Sequence, residues 1–486
     1  MSRSIAFLGT GSDVGKSIIS AGVGFLLAKR GYRVAPFKAQ NMSNNSYVTR
    51  DGGEMGRAQV VQARACGVEP STDMNPILLK PSSHTGSQII VNGKLYKTVE
   101  AREYYNLTKV CSDYAFKSLH KLIEMYDILV IEGAGSCTEM NLRDRDFVNF
   151  ATAIEANAAV ILVADIERGG VFSQIIGTLE LLSDREKSLV KGIIINKFRG
   201  DLSLFDSGVE YIQNRCNIPV LGVIPWMDNV PLEEEDSVAV FNKIDPITII
   251  DEIYNIGIVV TPHVSNYTDF FPLENLNGVG VSYLSKPNSI DKFDALIIAG
   301  TKSVISDLRF LKERGWEAAL HSFKGRVVGV CGGYQMLGSR IVDLEGVDGV
   351  VGTENGFNLL TAETTFLMDK VVNNSLGFSS LWGCKISGYQ IHNGITTHNQ
   401  EPFITISKEK YDGEIDSYKR VIGTYFHGLF ESVDTVRALL NWIDPSRVSK
   451  IDFNNCQFES GINSVGKHLL DSLDFEKIIS IIEEQD

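Results

Sequence analysis

The stretch Gly9-Thr10-Gly11-Ser12-Asp13-Val14-Gly15-Lys16-Ser17, set directly after the apolar run Ile5-Ala6-Phe7-Leu8, constrains the fold more than any other feature of this chain. An apolar strand, a glycine-rich turn and a helix start, in that order, make the phosphate-binding corner of an open α/β sheet. Backbone N–H groups at the helix N-terminus bind phosphate oxygens, a lysine adds charge and a hydroxyl is a ligand for Mg²⁺. Gly15, Lys16 and Ser17 are therefore expected at a nucleotide's phosphates, with Ser17 also at the metal. Five residues separate Gly9 from Gly15, one more than the common spacing, so the loop is a variant. An ordinary glycine-rich turn between strand and helix is the competing reading.

The runs around this loop extend the pattern. Ser4–Leu8, Arg33–Phe37, Ile128–Glu132, Ala159–Asp165, Gly192–Asn196 and Val220–Ile224 read as strands, several apolar almost throughout, as strands covered on both faces must be. Amphipathic stretches such as Ser17–Arg30 and Tyr114–Met125 lie between them. This alternation predicts a doubly wound, mostly parallel sheet. Pro231–Ser237 is polar, acidic and aperiodic, and a second α/β series begins with Ile256–Thr261, Ala295–Ala299 and Val327–Val330. The expected division is a first domain over 1–232, a linker over 233–252, a second domain over 253–443 and a polar C-terminal tail over 444–486 that ends in a short helical pattern, Ile478–Glu484.

At 486 residues the chain exceeds one ordinary core, which agrees with two domains. Its formal net charge of −14 argues against nucleic acid or an anionic membrane as the main partner. Its seven cysteines are scattered, odd in number and without a C-x-x-C pair, the usage of a reducing compartment. No secretory signal pattern or long apolar run is present, so a cytoplasmic setting is expected.

Three strand ends add candidates. Glu132, closing Ile128-Leu129-Val130-Ile131-Glu132, stands at the sheet edge where ligands of such folds bind, and is a candidate Mg²⁺ ligand or a helix cap. Lys38 follows the second strand on the same edge, reaching a phosphate or simply solvated. Asn196 closes another strand, reading an adenine edge or forming a turn.

The second domain carries a different chemistry. Val327-Val328-Gly329-Val330 runs into Cys331-Gly332-Gly333-Tyr334-Gln335, a strand-to-helix turn that suits a nucleophilic sulfur, although a buried structural cysteine is the common alternative. His427, ending Gly423-Thr424-Tyr425-Phe426-His427, is the candidate base, with His392 in Gly388-Tyr389-Gln390-Ile391-His392 as its competitor. Backbone N–H groups around Gly300, at the end of the preceding strand, are placed to stabilise an oxyanion. A nucleotide site joined to a cysteine nucleophile suggests ATP-driven transfer of ammonia taken from glutamine.

The phosphate loop, Pro36-Phe37-Lys38-Ala39-Gln40-Asn41-Met42-Ser43-Asn44-Asn45, Asp165-Ile166-Glu167-Arg168-Gly169-Gly170-Val171-Phe172 and the cysteine domain together resemble the cobyric acid synthase family over nearly the whole chain. The resemblance implies a P-loop, dethiobiotin-synthetase-like domain followed by a class I glutamine amidotransferase domain. It implies ATP- and glutamine-dependent amidation of the b, d, e and g carboxylates of adenosylcobyrinic acid a,c-diamide, with Mg²⁺ and with corrinoid, glutamine and ATP as the partners. By motif it places Thr10, Lys16, Ser17 and Lys38 at phosphates, Glu132 at the metal, Asp146 and Asn41 at the acceptor and Gln335 at glutamine. Class I amidotransferases carry a glutamate two residues after the histidine; here that position is Leu429, a departure the same family shares, and Glu431 lies nearby. The nearest rival is cobyrinic acid a,c-diamide synthase, which typically carries an acidic motif where Gln40–Asn45 stands. A lipid-linked cell-wall amidase usually splits its two activities between chains. A ParA/MinD-like regulatory ATPase has the loop without the cysteine domain.

Overall fold

The computed structural model describes residues 3–81, 86–227, 232, 244, 254–453 and 458–485. Six parallel strands form the first sheet, in the order Val220–Pro225, Val190–Phe198, Ala159–Asp165, Arg3–Gly9, Ile128–Glu132, Val34–Phe37. Ala159–Asp165 and Ile128–Glu132 are buried along their whole length, which is why their sequences are continuous apolar runs. Arg3–Gly9 lies between them, with Phe7 opposite Glu132 and Gly9 opposite Val163. That register puts the phosphate loop and Glu132 side by side at the C-terminal edge. The helix Lys16–Lys29 carries the chain away from the loop.

Between the second and third strands of the βα series the alternation breaks. Gln40–Met42, Ile77–Pro81, Gly86–Val91 and Lys94–Glu100 form a mixed four-stranded sheet, and Ser46–Val48 pairs with Glu54–Gly56. The turn between the last two strands of the mixed sheet is Asn92-Gly93, both at positive φ, a pair suited to a tight hairpin.

The second domain has its own sheet, Val279–Leu284, Tyr254–Val259, Ala295–Ile298, Arg326–Val330, Val421–Thr424 in parallel, with Glu414–Ile415 antiparallel at the edge. A long antiparallel pair, Glu363–Ser379 with Cys384–Thr397, stands beside it. Phe426–His427 leaves the parallel sheet and pairs with Tyr389 and Gln390 of that hairpin.

The strands differ from the sequence reading by a residue or two at their ends: Val34–Phe37, Tyr254–Val259 and Ala295–Ile298 replace slightly longer or shifted runs. Of the linker expected over 233–252, only Ile244 is described, bridging to Tyr283; its other residues lie outside the described ones. The C-terminal region is the larger correction. Beyond residue 457 it is two helices, Phe458–Ser472 and Phe475–Glu483, returning to the first domain. Ile462, Val465 and Leu469 recur at helical spacing and share a buried cluster with Ile5, Phe7 and Val23. Gly22 on the phosphate-loop helix has no room for a Cβ against Leu469 and Val465, and Gln485 exchanges two hydrogen bonds with the backbone of Ser4. Among the described residues, no helix is long and apolar enough to cross a membrane.

Candidate functional site

At the nucleotide corner Gly15 adopts φ 95°, a left-handed conformation, and a Cβ there would strike the Asn196 amide. Lys16 Nζ turns back into the loop, donating to the carbonyls of Gly135 at 3.0 Å and Gly11 at 3.4 Å. Burial lowers its affinity for the proton, an effect the nearby Glu132 carboxylate opposes. An ammonium bonded to neutral carbonyls in a desolvated loop suits the oxygens of a phosphate chain. Thr10 Oγ1 donates to Gln174 at 3.3 Å.

Glu132 is the hub. Ser17 Oγ at 2.8 Å and Lys38 Nζ at 2.9 Å both donate to its Oε1, and Gln62 Nε2 donates to its Oε2. Burial alone raises this carboxyl, but the Lys38 ammonium and the donated bonds from Gln62 and Ser17 hold it below the ordinary range. Lys38 is thus not a solvated lysine, being buried and paired, and the bonds of Glu132 go to side chains rather than to a helix cap. The hard oxygens of Ser17 and Glu132 fit a small divalent cation that keeps most of its ligands from water and phosphate; among the described residues no group of three His, Cys, Asp or Glu forms a protein-only cage.

Other expected residues are occupied nearby. Asn196 Nδ2 donates to the Val14 carbonyl at 2.8 Å, bracing the loop. Asp146 accepts from the backbone of Val148 and Asn149 and from Asn149 Nδ2, and Asn149 in turn clamps Ala134 just past Glu132. Asn41 donates to Gln59 at 2.8 Å.

At the second site Cys331 sits at φ 52°, ψ −110°, a strained conformation between strand and helix. The two glycines after it are set by packing: a Cβ on Gly333 would lie 2.1 Å from the Ile298 carbonyl oxygen. The turn does not expose the sulfur; Cys331 is buried, and its Sγ–H donates to the Ile391 carbonyl at 3.6 Å. His427 is hydrogen-bonded to Cys331 on one side, while its Nδ1 donates to Asp269 Oδ2 at 2.6 Å on the other. Asp269 Oδ1 also accepts the Gly428 N–H at 2.9 Å, fixing the turn that carries the histidine. Burial opposes the imidazolium, but Asp269 and the Cys331 sulfur together raise His427 to about 10. Cysteine, histidine and aspartate therefore form a line with the histidine's orientation supplied by the aspartate.

Asp269 is the residue sequence reasoning missed. It lies 158 positions before His427, on the short turn Tyr267–Phe270. The available signal was a carboxylate set among Tyr267, Phe270 and Phe271. Glu431 turns away, pairing with Arg57 at 2.7 Å and Arg64 at 3.1 Å of the first domain, and Leu429 is core. His392 stacks on Tyr425 with ring centroids 3.7 Å apart, and burial pushes it down to about 4. Gln335 Nε2 donates to Tyr425 Oη at 3.0 Å. Gly300 lies against both residues: a Cβ there would stand 3.5 Å from the His427 ring and 3.6 Å from the Cys331 Cβ, and 3.3 Å from the Ser265 carbonyl oxygen.

Residues 5–239 match the family described as the CobQ/CobB/MinD/ParA nucleotide binding domain, and residues 255–435 match the CobB/CobQ-like glutamine amidotransferase domain. The chain is 44% identical to a cobyric acid synthase of Pelodictyon phaeoclathratiforme over 99% of its own length and 98% of the relative's. It is 44% identical to that of Chlorobaculum tepidum (98% and 97% covered) and 40% identical to that of Vibrio parahaemolyticus (95% and 96% covered).

Proposed function

The chain belongs to the cobyric acid synthase family, and on that footing we propose that it amidates the b, d, e and g carboxylates of adenosylcobyrinic acid a,c-diamide with ammonia released from glutamine. It is a glutamine-hydrolysing carbon–nitrogen ligase with a nucleotide-binding domain and an amidotransferase domain in one chain. That pairing leaves no place for the purely regulatory ATPase reading, and full-length identity to cobyric acid synthases favours them over the a,c-diamide enzymes.

The observation that carries the residue assignments is the buried line from Cys331 through His427 to Asp269. In this reading Cys331 attacks the amide carbon of glutamine, the N–H groups near Gly300 and Gly332 face the oxyanion, and His427 gives its proton to the departing ammonia. Asp269 keeps the imidazole turned toward the sulfur, and water then releases glutamate. Gln335 contributes to the glutamine pocket. At the other site a carboxylate must first become an acyl phosphate, because oxide is no leaving group. Lys16, Lys38, Gly15 and Thr10 position the phosphates and Asn196 braces their loop. Ser17 and Glu132 would hold Mg²⁺, which offsets charge on the phosphates. Asn41 and Asp146 belong to the acceptor side, Asp146 through Asn149 and Ala134. A cytoplasmic setting, inferred from cysteine usage, belongs to the same reading.

Two variants test the division of labour. Cys331→Ala is expected to lose glutamine as a donor while ammonium at raised pH still supports ATP-dependent amidation of the diamide, counted by mass spectrometry. Lys16→Ala is expected to lose amidation with both donors, since acyl phosphate formation precedes both. Glutamine use by the Cys331 variant, or synthesis by the Lys16 variant, overturns the assignment.

A further inference from the structure

Asp307 is fully buried in the first turn of the helix Val304–Glu313, directly after the loop 300–303. A carboxylate at a helix start commonly caps the free N–H groups there. In this helix Asp348 takes that place, accepting the N–H groups of Val304 and Ile305, both at 2.9 Å. Asp307 instead holds two loops together. Its Oδ1 accepts from His263 Nδ1 at 2.7 Å, and its Oδ2 accepts the His263 backbone N–H at 3.2 Å and the Thr301 hydroxyl. Thr301 Oγ1 in turn accepts the Ser303 N–H at 3.1 Å. A carboxylate kept wholly out of water is tolerated where donors meet it, and those that meet this one come from loops 263–265 and 300–303. The loops run side by side, with Val264 bridged to Thr301. Ser265 N–H donates to the Gly300 carbonyl at 2.9 Å, and Lys302 N–H donates to the His263 carbonyl at 3.0 Å.

Both loops end at the cysteine site. A Cβ on Gly332 would lie 2.9 Å from the Thr301 backbone nitrogen and 2.8 Å from its Cγ2, so the Thr301 N–H stands against the peptide that follows Cys331. The other loop runs on through Asn266 into the turn Tyr267–Phe270, which carries Asp269. We propose that Asp307, acting through Thr301 and His263, is a positioning residue for glutamine hydrolysis: it holds the Thr301 N–H as an oxyanion donor and keeps the Asp269 turn in register with it. The proposal rests on the reading of Cys331 as the nucleophile. Its physical basis is the planarity of one peptide. In a trans peptide the C=O and the N–H point in opposite directions, and the chain has no cis bonds. Pinning the Gly300 carbonyl to Ser265 therefore aims the Thr301 N–H the other way, toward Gly332. Asp307 prevents that peptide from turning over, because it grips the Thr301 side chain on one loop and His263 on the other. A donor of this kind speeds the reaction when it is in place before charge develops on the former amide oxygen, and it contributes to the tetrahedral state more than to bound glutamine.

Three variants of the full chain test this. Thr301→Val removes the hydroxyl at nearly constant volume, Thr301→Ser keeps it, and Asp307→Asn keeps the shape while removing the charge. Glutamate release from glutamine is measured for each, together with inhibition by two small molecules. One is 5-oxopentanoate, an aldehyde whose carbonyl carbon bonds reversibly to a thiol and becomes tetrahedral; the other is glutarate, the matching acid, which stays planar. In Thr301→Val and Asp307→Asn, kcat is expected to fall by about tenfold or more, toward the roughly 10²- to 10³-fold of a lost oxyanion donor. KM for glutamine should change little, because the missing interaction belongs to the tetrahedral state. Thr301→Ser should recover most of the rate. Inhibition by the aldehyde should weaken in step with kcat while inhibition by glutarate holds, a divergence that does not depend on how much of a variant is folded. A native kcat in Thr301→Val, or equal weakening of aldehyde and acid, overturns the proposal. Failure of the functional reading is seen separately, as glutamate release that survives Cys331→Ala.

Discussion

The geometry around His427 makes its charge the quantity to measure. With Asp269 on Nδ1 and the Cys331 sulfur on the other side, the imidazole keeps its proton to about 10 in spite of burial. A group held above its ordinary value acts as an acid below that value and loses the ability as pH rises through it. Glutamate release by the native protein should therefore hold level between about pH 7 and 9. In Asp269→Asn one of the two groups that raise the imidazole is gone, so its alkaline limb should move to lower pH and activity should already fall across that window. The maximal rate is expected to drop by about 10²- to 10⁴-fold, the range for losing a triad's orienting carboxylate. A variant whose pH profile is merely scaled, without a shifted alkaline limb, would show that Asp269 does not set the histidine's charge. Cys331 and His427 could be singled out as candidates in the sequence because a strand-to-helix turn and a strand end are local patterns. Asp269 could not, because orienting a histidine requires only a carboxylate in the right place, and chain distance carries no trace of that.

At the scale of elements, legibility followed burial. Strands covered on both faces announce themselves as unbroken apolar runs, and Ala159–Asp165 and Ile128–Glu132 were found to the residue. The long hairpin Glu363–Ser379 with Cys384–Thr397 was missed because much of it faces solvent, and Thr, Asn and Lys blur its alternation. That hairpin nevertheless supplies Lys370, which meets Lys80 of the strand Ile77–Pro81 on the carboxylate of Glu54. The three side chains are buried, and Lys302 stands close enough that burial and its lysine neighbours lower it to about 7. Burial alone would raise Glu54, but Lys370 and Lys80 keep it far below the ordinary range, so its contribution persists down to strongly acid pH. Glu54→Gln leaves the lysines without their counter-charge and is expected to destabilise the protein by about 3–5 kcal/mol, read as a lower urea midpoint. Adding Lys370→Met to that variant should restore part of the loss, because one buried charge is removed. An unchanged midpoint in the single variant would mean that water reaches the cluster.

The whole molecule is closed by its last two helices. Phe458–Ser472 and Phe475–Glu483 lie on the first sheet beside the phosphate-loop helix, although more than four hundred residues of chain separate them from it. Sequence reading saw the periodicity of the last helix but had no way to assign it to a surface, since the apolar face it covers belongs to the chain's opposite end. Ile462, Val465, Leu469, Leu473, Phe475, Ile478, Ile481 and Ile482 are all buried there. Each such side chain is worth about 1.5–3 kcal/mol, so together they are at least comparable to the net stability of an ordinary domain, about 5–15 kcal/mol. A chain ending at Phe453 is therefore expected to lose the cooperative melting of the first domain and its affinity for nucleotide, followed by calorimetry and by titration with ATP. Leu469→Asp offers a milder form of the same test. It sets a carboxylate against Gly22, where the packing leaves no room for a side chain on the helix, and should lower the melting temperature of an otherwise complete chain. If the shortened chain binds ATP with native affinity and melts within a few degrees of the full one, the helices are an appendage, and the first sheet holds its phosphate loop without them.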